Sequence, residues 1–98
     1  MRQRLIRAAS IGTEAMRVRV RLFATYREIT GEGAVPWTLP DGARLRELLD
    51  ALVGTYPRLA MHADTMLLAV NLNYASPDVV LHDGDEVAVM PPVSGGRT

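Results

Sequence analysis

From Met16 onward the chain reads RVRVRLFA, in which apolar and polar positions alternate strictly. Val18, Val20 and Leu22 fall on one face; Arg17, Arg19, Arg21 and Phe23 fall on the other. A period of two predicts a half-buried strand. The alternation stops at TYREITGEG, where Gly31-Glu32-Gly33 signals a turn, so a short helical turn over 25–29 followed by a loop is expected. AVPWTLP then reads as a second strand, with Pro36 tolerable only at a sheet edge or a strand start because it has no N–H to donate.

In ARLRELLDALVGTYP the period changes: Leu45, Leu48, Leu49, Leu52 and Val53 recur at i, i+3, i+4, i+7 and i+8 and make one apolar stripe along a helix. Trp37 and Leu39 are expected to pack near it. Arg44 stands at the cap position and Glu47 where the acid of a capping box would, which leaves Asp41 as the expected side-chain acceptor. Gly54 and Pro57 are expected to end the helix, and 58–64 to form a connecting loop. MLLAVNLNYAS predicts an apolar strand with a turn at 71–73, and HDGDEVAVMPP predicts a turn at Asp83-Gly84 leading into a strand over 86–90. Strand, strand, helix, strand, strand describes an α+β roll in which one main helix covers a small mixed sheet.

Composition narrows the chemistry. With 98 residues the chain can bury one modest core, and no second domain or repeat is visible. The expected division is an extension over 1–15, a folded domain over 16–92 and a flexible tail over 93–98. Its eleven basic residues are all Arg and are balanced by eleven acids, so no global field favours nucleic acid or an anionic membrane. Without Lys there is no side-chain amine for Schiff-base chemistry or isopeptide acceptance. Without Cys there is no disulfide, thiolate nucleophile or thiolate metal ligand. No apolar run reaches the roughly eighteen residues of a membrane-spanning helix, so a soluble, cytoplasmic protein is expected.

VRLFATYREITG, LLAVN and DGDEVAVMPPVSGG together resemble the ubiquitin-like sulfur carriers of the molybdopterin synthase small-subunit type, whose fold is the β-grasp. The resemblance spans 17–96, with a variable stretch around 56–65. It implies a non-catalytic sulfur-donor subunit that binds no cofactor or metal. In this family the terminal glycine carboxylate is adenylated with ATP by a ubiquitin-activating-type enzyme and converted to a thiocarboxylate. A large subunit then receives the tail and sulfurates a cyclic pyranopterin precursor to the dithiolene. Gly96 would carry the reacting carboxyl, with Gly95 beside it. Phe23, Tyr74 and Met90, with Pro91, Pro92 and Val93, would form the partner interface. Family members stop at the second glycine, whereas Arg97 and Thr98 follow here, so removal by a processing protease is expected.

The residues fit that role on physical grounds. Glycines suit a tip that threads a narrow channel, and Pro91-Pro92 hold the chain extended behind the last strand. A plainer account of Gly95-Gly96 alone is a frayed terminus. Phe23 and Met90 are apolar residues on the strand faces turned away from the core, and Tyr74 fits either core or surface. His62 and His82 read as surface histidines. Asp83, Asp85 and Glu86 read as a solvated turn, not a cation site. Two rivals stand beside the main reading: a carrier for thiazole, tRNA thiolation or cysteine biosynthesis, and a ubiquitin-fold interaction module without a sulfur role.

Overall fold

The alternating segment becomes β1 (Ala15–Leu22) in a computed structural model that describes residues 15–92. Met16, Val18, Val20 and Leu22 are buried, and the arginines between them point away from the core. β1 includes Ala15, one residue before the expected domain start, in register with Pro40. A short helix α1 (Ala24–Thr30) follows and closes on Gly31, whose φ of 77° is one that glycine adopts without steric cost; the Gly31 N–H donates to Arg27 O at 2.8 Å. β2 (Ala34–Pro40) pairs antiparallel with β1 and lies at the sheet edge, where Pro36 costs no ladder bond.

Helix α2 (Leu45–Thr55) buries Leu45, Leu48 and Leu52, with Leu49 and Val53 flanking the same core. Its start differs from the expected Asp41 cap. Glu47 Oε1 accepts the Arg44 N–H at 2.9 Å, while the donor-only guanidinium of Arg44 reaches forward to Asp78 O at 2.7 Å. Gly54 does not stop the helix; it sits inside it, and Pro57 opens the next turn. The expected loop after Pro57 is largely a 3-10 helix, Pro57–His62, which buries Leu59.

β3 (Leu67–Val70), β4 (Asn73–Tyr74) and β5 (Glu86–Met90) complete a five-stranded sheet of order β2-β1-β5-β3-β4. β5 runs parallel to β1 and antiparallel to β3. β4 is the strand that strict apolar patterning missed. α2 and the 3-10 helix close over one sheet face, and Val20, Leu22, Val87 and Val89 from the central strands pack beneath them. This is the β-grasp roll expected from the sequence. Tyr26 of α1 is wholly buried, with its ring centroid 5.2 Å from that of His62; its hydroxyl has no hydrogen-bond partner among the described residues, and burial raises its pKa.

Candidate functional site

Among the described residues no helix lies on the second face of the sheet, and the residues of that face follow from strand register. Leu67 pairs with Met90, and Ala69 pairs with both Ala88 and Tyr74. In β1, Arg19 lies beside Glu86 and Arg21 beside Ala88. Paired positions share a face, so every second residue of these strands belongs to the open side. Phe23, Ala69, Leu72, Tyr74, Ala88 and Met90 line one apolar recess there, about 270 Å³ in volume.

Of the residues expected at a partner interface, the structure brings Phe23, Tyr74 and Met90 together. Phe23 is 39% exposed and Tyr74 79%, so Tyr74 is not a core residue. Pro91 and Pro92 continue directly from Met90, so the chain leaves the sheet beside the recess. The Phe23 N–H donates to Val89 O at 3.3 Å, tying the start of α1 to the end of β5. Val93, Gly95 and Gly96 lie outside the described residues.

Leu72 is the member that the sequence did not point to, and it is 91% exposed. Asn71 and Leu72 join β3 to β4 with φ of 51° and 72°, the signs a two-residue type I′ turn demands. Asparagine tolerates such a backbone, and Asn71 is also pinned: its Nδ2 donates to Asp85 Oδ1 at 2.9 Å and its Oδ1 accepts the Glu86 N–H at 3.0 Å. Leucine gains nothing comparable. The turn expected at 71–73 is therefore present, although a leucine gives no hint of the positive φ it adopts there.

The acids of the Asp83-Gly84 turn do more than face solvent. Asp83 Oδ1 accepts the Arg17 N–H, and Asp85 Oδ2 accepts the His82 N–H, both at 2.8 Å. Gly84, at φ 87°, donates to Arg17 O at 2.8 Å, so the turn is bonded to the start of β1 and sets the register of β5. No group of three or more potential metal ligands occurs among the described residues. His62 ends the 3-10 helix against Tyr26 instead of sitting in a loop.

Beside the recess the open face is cationic. Arg21 Nη1 lies 3.5 Å from Glu86 Oε2, and the Arg21 guanidinium carbon is 5.5 Å from the centroid of the Phe23 ring. On the helix side, Arg46 forms an ion pair with Asp78 that holds the Asp78 carboxyl below its ordinary range. Among the described residues no helix is long and apolar enough to cross a membrane.

Comparison with known proteins places these features in a family. The model of the ThiS family matches residues 20–96. The molybdopterin synthase sulfur carrier subunit of Arabidopsis thaliana is 32% identical over 96 residues, covering 98% of this chain and all of that protein. The protein of the same name from Chlamydomonas reinhardtii is 39% identical over 83 residues, covering 83% of this chain and all of the relative. Small archaeal modifier protein 3 of Haloferax volcanii is 34% identical, covering 83% of this chain and all of that one. Among solved structures, SAMP1 of Haloferax volcanii superposes with a TM-score of 0.73 at 32% identity, over 82% of this chain and 99% of that one. A chain in a complex of subunits 1 and 2 of the molybdopterin-converting factor of Helicobacter pylori superposes with a TM-score of 0.57 at 28% identity, over 83% and 100%. With its β-grasp sheet, its open apolar recess and a family match running through to Gly96, this chain belongs to the ThiS family.

Proposed function

We propose that this chain is the sulfur carrier subunit of a molybdopterin synthase, bearing sulfur as a thiocarboxylate on Gly96. The observation that carries the reading is the junction of β5 with the open face: Met90 lines the apolar recess, and Pro91-Pro92 lead straight from it toward Val93-Ser94-Gly95-Gly96. A partner that covers Phe23, Tyr74 and Met90 is thereby positioned to receive the tail. Proline restricts the first step of that path, and glycine leaves its tip without bulk.

In this mechanism the chain supplies a carboxyl group and an address, with no catalytic side chain. An adenylating enzyme of the ubiquitin-activating type joins the Gly96 carboxylate to the α-phosphate of ATP and releases pyrophosphate. A sulfur donor then displaces AMP and leaves the thiocarboxylate. With Arg97 and Thr98 attached, Gly96 has a peptide carbonyl in place of a carboxylate, so a processing protease must remove those two residues first. The large subunit accepts the charged tail and transfers its sulfur to the pyranopterin precursor.

Likeness to an archaeal modifier protein favours a second reading, in which activated Gly96 is joined to a lysine of another protein. The chain has no Lys and so offers no side-chain amine for conjugation to itself. Purification of the tagged chain from its own cells separates the readings. Co-purification of a molybdopterin synthase large subunit is expected. A thiazole synthase in its place would assign the chain to a neighbouring sulfur pathway, and isopeptide-linked adducts without either would assign it to protein modification.

A further inference from the structure

The open face holds a feature that carrying sulfur does not require. Arg17, Arg19 and Arg21 project from it at two-residue spacing along β1, successive guanidinium stems standing about 7 Å apart. Their register partners in β2 are Thr38, Pro36 and Ala34, so no carboxylate faces the row from that side. On the β5 side Glu86 is the charged neighbour, and it meets Arg21 at 3.5 Å with both side chains substantially exposed. The nearby Asp83 and Asp85 carboxylates accept backbone and asparagine N–H bonds, and neither ion-pairs with an arginine among the described residues. Of residues 1–14 and 93–98, only Glu14 has an acidic side chain, while those segments add four arginines. Among the described residues the one ion pair made by the row is therefore Arg21 with Glu86.

We infer that Arg17, Arg19 and Arg21 form a cationic docking stripe for a row of carboxylates on the large subunit, alongside the apolar recess that the same partner covers. Arg21 joins the two halves, since it contacts Glu86 on one side and lies over the Phe23 ring on the other. Guanidinium groups suit this task because each presents a planar fork of donors to a carboxylate. Overall charge balance argues against a nucleic-acid surface: eleven acids offset the eleven arginines, so only a partner aligned with this strand meets the positive field. The stripe sets the rate and orientation of encounter, and the recess sets how long the complex lasts. This inference rests on the sulfur-carrier reading above.

The test measures association and dissociation rates of the full-length chain with its cognate large subunit at several salt concentrations. The variants are R17Q/R19Q, which deletes charge, and R17E/R19E, which reverses it; F23D serves as the recess control, and melting is followed for all. Both arginine variants should keep the melting temperature. At about 20 mM salt R17E/R19E should associate roughly tenfold or more slowly than the unaltered chain, with the difference nearly gone at about 0.5 M, where charges are screened beyond a few ångströms. F23D should instead speed dissociation at every salt. Arginine variants with unchanged association rates would overturn the stripe while leaving the carrier reading intact. Failure of the unaltered chain to bind the large subunit would overturn both. Salt-sensitive binding of a single-stranded RNA 20-mer that the arginine variants lose, with association to the large subunit unchanged, would reassign the stripe to nucleic acid.

Discussion

Replacing Leu72 by glycine should separate the needs of the fold from those of the partner. Leu72 holds φ at 72° and exposes 91% of its surface, so its side chain contributes little to the isolated domain while its backbone is strained. A left-handed conformation costs an L-residue about 1–2 kcal/mol, and glycine gives back about 0.5–1 kcal/mol through its freer unfolded chain. Leu72→Gly should therefore leave stability unchanged or raise it by up to about 1.5 kcal/mol. Burying a leucine side chain at an interface contributes about 1.5–3 kcal/mol. Its removal should weaken binding to the large subunit roughly 10- to 150-fold. Denaturant unfolding and calorimetric titration on the same preparations read both effects, and Leu72→Asn, which tolerates the turn, should behave alike. A loss of more than about 1 kcal/mol of stability, against the sign expected from the turn, would show that Leu72 serves the fold. Unchanged affinity would remove it from the interface.

The remaining predictions concern the body of the domain. Leu48→Ala and Leu52→Ala, at fully buried positions on α2, should each cost about 2–4 kcal/mol, whereas Arg46→Ala, which breaks a solvent-exposed ion pair, should leave the unfolding midpoint nearly unchanged; equal losses in urea melts would contradict the stripe of α2. Tyr26 has its pKa raised by burial, so the fold prefers the neutral phenol, and that contribution is complete below the ordinary tyrosine pKa of about 10 and is lost as pH rises through the higher folded value. Tyr26→Phe should therefore reduce the loss of stability above about pH 10, and because the hydroxyl has no partner among the described residues it should cost under about 1 kcal/mol at neutral pH. Unchanged alkaline unfolding would refute that assignment. Asp78, held low by Arg46, stabilises the fold above the ordinary aspartate pKa of about 4 and stops doing so as pH falls through its lower folded value; Asp78→Asn should flatten the acid limb of the melting-pH profile.

Elements whose two faces meet different surroundings were legible in the sequence. β1 alternates because the helices cover Val18 and Val20 while Arg17 and Arg19 stay outside, and the α2 stripe could be read because Leu45, Leu48 and Leu52 meet the sheet. The 3-10 helix was not legible: Pro57–His62 is short, and Leu59 alone marks its buried side. β4 has only two residues, both exposed, so no burial pattern records it. Gly54 inside α2 misled because glycine more often follows a helix than continues it. At the candidate site, Phe23 and Met90 could be found as apolar residues on the wrong phase of their strands. Leu72 and the isolation of the arginine row could not, since both depend on which neighbours the turn and the sheet register bring alongside.

The central claim is that Gly96 is the working end of this chain, and intact mass tests it most directly. Full-length chain and a chain ending at Gly96 are each incubated with the cognate adenylating enzyme, ATP and a sulfur donor, then weighed. The account predicts that the chain ending at Gly96 alone gains the mass of one oxygen replaced by sulfur, and that the full-length chain does so only after a protease has removed Arg97-Thr98. Thiocarboxylation of the untrimmed chain at Thr98, or failure of the trimmed chain to react, would contradict it.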